Sequence, residues 1–313
     1  MRTQVSLAAM VLLGFLLAGC GKQEPADTAE AAKTMGPAET VERQAAELRE
    51  GDLVGLIQLA VPPAHYDKLK SEWSQRIKED PATEHDKREF AEAMAKMTAD
   101  GAEQALYAEL EPALAKAEAE MGAQLPLMVG MGRGFAVQAI NESAKLTAAQ
   151  KQQATEFIDA FAKWIEGAQF FDRDKARQAL SSMVATARQL GVKSLDEVEQ
   201  MDFETAMQKA GAAFLGVRDV LKVYGLDLDA TLASVESKVK SQQGEEAVVE
   251  VSYQLFGQPL SFETTMTQRD GRWYGREALQ EIEKSMASVP AVSEEPAPAA
   301  AGAEVEQPAA AGG

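Results

Sequence analysis

Few side chains in this chain could act as nucleophiles, bases or metal ligands. It contains one cysteine and two histidines in 313 residues, at Cys20, His65 and His85. Neither histidine belongs to an HExxH motif, in which two histidines one helical turn apart bind zinc. Aspartate and glutamate are so abundant that no carboxylate pair stands out as an acid/base couple. The sequence therefore predicts no catalytic residue, no metal site and no cofactor.

A glycine-rich stretch, LPLMVGMGRGFAVQAI from Leu125 to Ile140, has the composition of a phosphate-binding loop without its pattern. Neither GxGxxG nor GxxxxGK[ST] is present, and no predicted strand precedes it, which argues against nucleotide binding. Three alternatives are left. Gly130 and Gly134 let two helices approach closely, or the glycines break a helix into a flexible hairpin, or the stretch is an apolar element that contacts a membrane or a ligand.

Cys20 stands directly after an apolar run, in the string LAGCG. Arg2, the apolar run from Val5 to Leu17 and the small residues before Cys20 follow the order of a secretory signal peptide. The run is short for a membrane-spanning helix, which needs about 20 apolar residues. The string resembles the lipobox of bacterial lipoproteins. That resemblance implies cleavage before Cys20 and lipid attachment to it. Because Gly21 follows rather than aspartate, it also implies the periplasmic side of the outer membrane rather than the inner membrane.

The net charge of the chain is −18 at pH 7, and no cysteine follows Cys20 that could form a disulfide in the mature body. Such an acidic body repels nucleic acid and anionic lipid headgroups, so we expect no nucleic-acid partner. The charge favours basic proteins, cationic small molecules or metal ions as partners, unless it only keeps an exported protein soluble.

Changes in composition and periodicity divide the chain into five segments. The two ends are polar or rich in Ala, Pro and Glu, and cannot bury enough apolar surface to fold. The predicted segments are a signal peptide (1–19), a lipidated cysteine with a flexible tether (20–36), a helical domain (37–225), an antiparallel β meander with a helix (226–286) and a disordered tail (287–313).

Apolar residues recur at three- and four-residue steps through most of the region 37–225, which is typical of amphipathic helices. Two of these runs follow capping-box patterns, Thr147-x-x-Gln150 and Ser194-x-x-Glu197. From about Ser237 the apolar residues alternate with a period of two, as in half-buried strands. We therefore expect an α+β fold: a predominantly α-helical body, then an antiparallel meander of three or four strands, then a final helix.

Turn-forming residues separate the predicted strands. Gln243-Gly244, the stretch Gly257-Gln258-Pro259 and Asp270-Gly271 each lie between two alternating runs. Asp-Gly is a strong hairpin signal because both positions of a type I′ turn need a positive φ.

The two ends of the body resemble a known fold family. In LREGDLVGLIQLA a helix breaks at Gly51-Asp52 and restarts, and QRDGRWYG ends the meander. Both are similar to the opening helices and final strands of small bacterial lipoproteins with the cone fold of the nuclear-transport-factor-two superfamily. A long helical stretch separates the two ends in this chain. The resemblance implies an apolar pocket lined by Phe262, Trp273 and Tyr274, and it carries over no catalytic residue.

These patterns together predict a periplasm-facing membrane lipoprotein, anchored through lipid on Cys20. We expect a non-enzymatic accessory or binding protein of the cell envelope. Its partner would be an envelope protein or a small apolar ligand. The alternative is a hydrolase that acts on envelope material and has no recognisable motif.

Overall fold

The computed structural model describes residues 35–144 and 146–287, with side chains described as far as Lys284. The predicted signal peptide, Cys20, and most of the predicted tether and tail lie outside the described residues. Within them the predicted α+β class is confirmed, because helices come first and an antiparallel sheet and a last helix follow.

Eleven helices precede the sheet in the described part of the chain. They are α1 (Pro37–Glu50), α2 (Leu53–Ala60), α3 (Pro63–Glu79), α4 (Glu84–Thr98), α5 (Ala102–Met121), α6 (Leu125–Glu142), α7 (Ala148–Gly167), α8 (Arg173–Leu190), α9 (Leu195–Glu199), α10 (Phe203–Val223) and α11 (Leu228–Ala233).

The break between α1 and α2 follows from its two residues. Gly51 ends α1 with a φ of 74°, a left-handed conformation that side chains disfavour. Asp52 then starts α2, because its carboxylate accepts a hydrogen bond of 2.8 Å from the backbone N–H of Gly55. The chain therefore changes direction in two residues, as the sequence predicts.

The two predicted capping boxes have different outcomes. Thr147 and Gln150 form the complete reciprocal box that opens α7. Ser194 caps the backbone N–H of Glu197, but the Glu197 carboxylate accepts from the N–H of Lys193 instead of returning to Ser194. The second pattern therefore produces a one-sided cap on a helix of five residues.

The sheet is an antiparallel meander in the order β1-β2-β3-β4, followed by α12. Leu255 pairs with Gln258, so the turn residues are Phe256 and Gly257. The predicted turn at Gly257-Gln258-Pro259 is wrong by one residue, because β3 already begins at Gln258. The elements are β1 (Glu236–Gln243), β2 (Glu246–Leu255), β3 (Gln258–Arg269), β4 (Arg272–Gly275) and α12 (Arg276–Ala287).

The main core lies between one face of this sheet and the first two helices. The period-two alternation predicted for β2 is confirmed, because Val249 and Val251 are fully buried on the face that meets α1 and α2. The helices and strands contribute Val41, Ala45, Leu48, Leu53, Leu56, Leu232, Ala247, Val249, Val251, Met266 and Trp273 to this core.

A second apolar cluster joins α3 to the start of α10. The ring of Phe203 meets the rings of Tyr66 and Trp73 edge to face, each at a centroid distance of 5.6 Å. The indole N–H of Trp73 donates to the carbonyl of Met201 at 3.0 Å. Met35, assigned by sequence to the end of the tether, is buried in a small cluster with Leu59.

Helices α6 and α7 form an antiparallel pair at another part of the body. The guanidinium of Arg133 in α6 is 2.7 Å from the carboxylate of Asp159 in α7. Helix α7 continues to the sheet, where it contacts β3. The α6–α7 pair and the β2–β3 turn therefore lie in the same region of the molecule.

Candidate functional site

The residues that the cone-fold resemblance selects are placed in the packed part of the molecule. Trp273 belongs to the main core, and Phe262 packs against that core. Tyr274 is 1% exposed and is adjacent to Trp273 in β4, so the two side chains lie on opposite faces of the strand. None of the three lines the cleft described below. That Phe262, Trp273 and Tyr274 line a ligand pocket stays a prediction.

Both histidines lie in the first turn of a helix. His65 is half-buried in α3, and its Nδ1 is buried without a hydrogen-bond partner among the described residues. His85 in α4 is exposed, with its Nε2 3.4 Å from a carboxylate oxygen of Glu89. Within residues 35–144 and 146–287, no three His, Cys, Asp or Glu side chains are arranged to hold a metal ion.

Helix α6 exposes large apolar side chains that helices normally bury. Leu127 is 66% exposed, Met128 49%, Met131 52% and Phe135 73%. We call these four residues the apolar face of α6. No residue of this helix is buried, and the next helix adds Phe157 and Phe161, which are 41% and 38% exposed.

The glycines of α6 also face open space. A Cβ atom added to Gly130, Gly132 or Gly134 would meet no heavy atom within 4 Å in the described structure. These glycines therefore do not bring two helices of this chain together. They do not break the helix either, since α6 runs without interruption from Leu125 to Glu142. Of the three sequence alternatives, the apolar contact element is the one compatible with this geometry.

Very little charge accompanies the apolar face. Arg133 is the only charged residue between Leu125 and Ile140, and it is engaged with Asp159. Across the described ranges, 35–144 and 146–287, no helix combines the length and apolar content needed to cross a bilayer. The apolar face therefore carries almost no charge, and its helix packs beside α7.

Aromatic rings from four segments of the chain form one continuous cluster. Trp164 stacks on Phe256 with ring centroids 5.3 Å apart and an interplanar angle of 19°. The indole N–H of Trp164 donates to the carbonyl of Tyr224 at 2.9 Å, which fixes the ring. The aromatic cluster consists of Phe157, Phe161, Trp164, Phe170, Tyr224 and Phe256.

The β2–β3 turn, which positions the Phe256 ring, has an unfavourable backbone conformation. Phe256 has a φ of 52° and Gly257 a φ of 72°, the two positive values of a type I′ turn. A bulky residue at positive φ is an outlier, since Asn, Asp and Gly are preferred there. Such strain tends to occur at functional sites. Here it places the Phe256 ring against Trp164.

A cleft of about 290 Å³ opens beside the aromatic cluster. Trp164, Tyr224 and Phe256 supply its aromatic lining, and its two charged lining residues are Lys163 and Lys175. The Lys175 ammonium donates to the carbonyl of Ala168 at 3.0 Å. Lys163 has no ion pair or hydrogen bond with any residue that the structure describes. The charged side chains that line this cleft are therefore both basic, in a chain of net charge −18.

The titratable ring in the cleft stays neutral. Burial, and then the negative charge of Asp172, raise the pKa of the Tyr224 hydroxyl above its ordinary value of 10.0. Tyr224 is therefore a protonated phenol at neutral pH and can donate a hydrogen bond. Asp172 itself caps α8 by accepting from the backbone N–H groups of Asp174 and Lys175.

Sequence reasoning missed this cleft. The helical spacing of Phe157, Phe161 and Trp164 is typical of a core stripe, whereas Phe157 and Phe161 are partly exposed and Trp164 lines the cleft. One signal was available: Phe256-Gly257 stands where a hairpin with a two-residue turn prefers Asn-Gly or Asp-Gly.

Comparison of the chain with protein-family models, with curated proteins and with solved structures gives no match in any of the three. Its geometry and chemistry are therefore the basis for any assignment of function.

Proposed function

We propose that this chain is a lipid-anchored, non-enzymatic binding protein of the bacterial cell envelope, and that the apolar face of α6 binds an envelope protein. The observation that carries the proposal is the exposure of Leu127, Met128, Met131 and Phe135 on one helix. The predicted anchor at Cys20 would hold this surface on the periplasmic side of the outer membrane.

Exposed apolar side chains are ordinary when they are scattered and informative when they are contiguous. On a helix, residues three and four positions apart are neighbours, so Leu127, Met131 and Phe135 form one row, with Met128 beside it. Phe157 and Phe161 of α7 are also exposed, but they belong to the aromatic cluster. A helix that lays such a row into a groove is a common mode of protein recognition.

The surroundings favour a protein over the bilayer as the partner. The preceding helix, α5, presents exposed Glu111, Glu118 and Glu120. Glu118 and Glu120 are paired with Arg173 and Lys116, so the repulsion from anionic lipid comes from the net charge of −18. Methionine-rich surfaces, in contrast, adapt well to protein partners. The three glycines leave space in which a partner's backbone or side chains could approach closely.

The test is site-specific photocrosslinking in intact cells, with benzoyl-phenylalanine in place of Phe135 in the full chain. We expect a discrete protein adduct at this position and none at Glu92, an exposed position on α4. Met131→Asp should suppress the adduct, because it puts a charge into the apolar row. The same substitution should change the free energy of unfolding by less than about 0.5 kcal/mol, as expected for an exposed site.

Three results would overturn the proposal. Equal adducts at Phe135 and Glu92 would indicate random collisions. An adduct that Met131→Asp does not reduce would indicate contact elsewhere. Adducts formed only with lipid would assign the apolar face to the membrane.

A further inference from the structure

We infer that the cleft beside the aromatic cluster is a binding site for a small organic anion, with a planar apolar body and one carboxylate. This site is separate from the apolar face of α6 and does not depend on the protein partner proposed above. It also differs from what net charge predicts, because the overall charge of the chain favours cationic ligands.

The apolar part of the ligand is recognised by rings that are held before it arrives. Trp164 is fixed by its stack on Phe256 and by its hydrogen bond to the Tyr224 carbonyl. Phe170 packs against Trp164 and Tyr224, at centroid distances of 5.6 and 5.4 Å. Rigid aromatic walls of this kind bind planar apolar groups with little loss of conformational entropy.

The two lysines that line the cleft indicate the charge of the ligand. Among the residues that the structure describes, Lys163 and Lys175 are the only Lys, Arg, Asp or Glu residues that line the cleft. The chain has 49 acidic and 31 basic residues, so a lining with two bases and no acid runs against its composition. Two ammonium groups attract a carboxylate and repel a cation, and Lys163 has no described carboxylate partner to displace. Tyr224 and Gln258, which also line the cleft, carry uncharged hydrogen-bonding groups.

The size of the cleft limits the ligand. Its volume of about 290 Å³ lies at the lower end of the range of small-molecule sites, roughly 300–1,000 Å³. A fused two-ring carboxylate matches this size, whereas a folded domain or a long acyl chain does not. Lys163 is exposed and Lys175 is partly exposed, so a carboxylate bound to them would keep part of its hydration.

The experiment uses 2-naphthoate as the anionic probe and 2-naphthamide as its uncharged counterpart. Both are titrated calorimetrically into the full chain in detergent, with a detergent-only blank. We expect 2-naphthoate to bind at least tenfold more tightly than 2-naphthamide. Lys163→Gln and Lys175→Gln should each weaken 2-naphthoate about tenfold and leave 2-naphthamide unchanged. Lys193→Gln is the matched control, because Lys193 is exposed and its side chain has no ion pair within the described residues.

A third variant, Phe256→Asn, removes an aromatic ring of the cleft without disrupting the fold. Asn before Gly257 suits a type I′ turn, so the β2–β3 hairpin keeps its preferred turn chemistry while the ring is removed. We expect it to weaken both probes, with the circular dichroism spectrum unchanged. Equal binding of the two probes, insensitivity to both lysine variants, or no binding of 2-naphthoate to the folded chain at millimolar concentration would each overturn the inference. None of these results bears on the crosslinking at α6.

Discussion

The carboxyl group of Glu47 is the most deeply buried acid that the structure describes, at 2% exposure. It lies in α1, where Arg43 one turn earlier forms an ion pair with it at 2.5 Å. Burial raises the pKa of the Glu47 carboxyl above its ordinary value of 4.5, and the attraction of Arg43 only partly opposes this. The ionised form is therefore less favourable in the folded chain than in the unfolded chain.

This raised pKa predicts a pH dependence of stability. Between 4.5 and its higher folded pKa, Glu47 binds more protons in the folded state, so its contribution to the free energy of unfolding falls as pH rises. This stabilising contribution of Glu47 is fully present below the pKa of the unfolded state. It is lost as pH rises through the pKa of the folded state. The wild type should thus lose stability relative to Glu47→Gln when urea unfolding is compared from pH 4 to pH 7.

The control is Glu50→Gln, which removes one negative charge from an exposed position of the same helix. If the difference between wild type and Glu47→Gln were constant over this pH range, or grew with pH, the argument from burial would be refuted.

At the scale of elements, the glycines that serve close packing lie in α10 rather than in α6. A Cβ atom at Gly211 would overlap the carbonyl oxygen of Gly51, where α10 passes the break between α1 and α2. A Cβ atom at Gly216 would overlap the hydroxyl of Thr186 in α8. Two helix contacts therefore depend on the missing side chains, whereas Gly130 and Gly134 face open space.

These contacts predict opposite effects of the same substitution. Gly211→Ala should destabilise the chain by about 1–3 kcal/mol, because the added methyl forces apart backbone segments that are already in contact. Gly134→Ala should be neutral, or stabilising by up to about 1 kcal/mol, because alanine favours an exposed helix interior. Urea unfolding of both variants measures the difference. Equal stability of the two would mean that α10 does not approach Gly51 as described.

At the scale of the whole molecule, the net charge and the predicted lipid anchor affect every part of the protein. An excess of acid over the whole chain coexists with a lysine-lined cleft, so net charge does not predict the sign of a local site. The predicted lipid on Cys20 would keep both the cleft and the apolar face of α6 near the membrane. Multiple acyl chains make a stable anchor where a single chain would be marginal.

Replacing the predicted anchor residue tests the location. Cys20→Ala should block lipidation and shift the protein out of the outer-membrane fraction, while the circular dichroism spectrum of the body is unchanged. Fractionation of membranes after a high-salt wash, followed by blotting, measures the distribution. Continued fractionation of Cys20→Ala with the outer membrane would contradict the anchor.

Local patterns in the sequence were sufficient for the fold class and for much of the element structure. The Gly51-Asp52 break, the Thr147 capping box and the Asp270-Gly271 turn each depend on residues that are close together in the chain. The alternation in β2 predicted its buried face for a similar reason, because successive side chains of a strand point to opposite sides. The capping box of Thr83 and Asp86 is not predicted by the usual sequence pattern, because an aspartate stands where that pattern has Glu or Gln.

The candidate sites depend on contacts between distant parts of the chain, and these only the tertiary structure decided. The aromatic cluster joins α7, the loop after it, the end of α10 and the β2–β3 turn. Nothing local distinguishes the close-packed Gly211 from the open Gly134, since both are glycines within helices. Periodicity determines which residues form a helix face. Which face stays uncovered depends on how every other element packs, and that packing left α6 exposed and brought two lysines to an aromatic cleft.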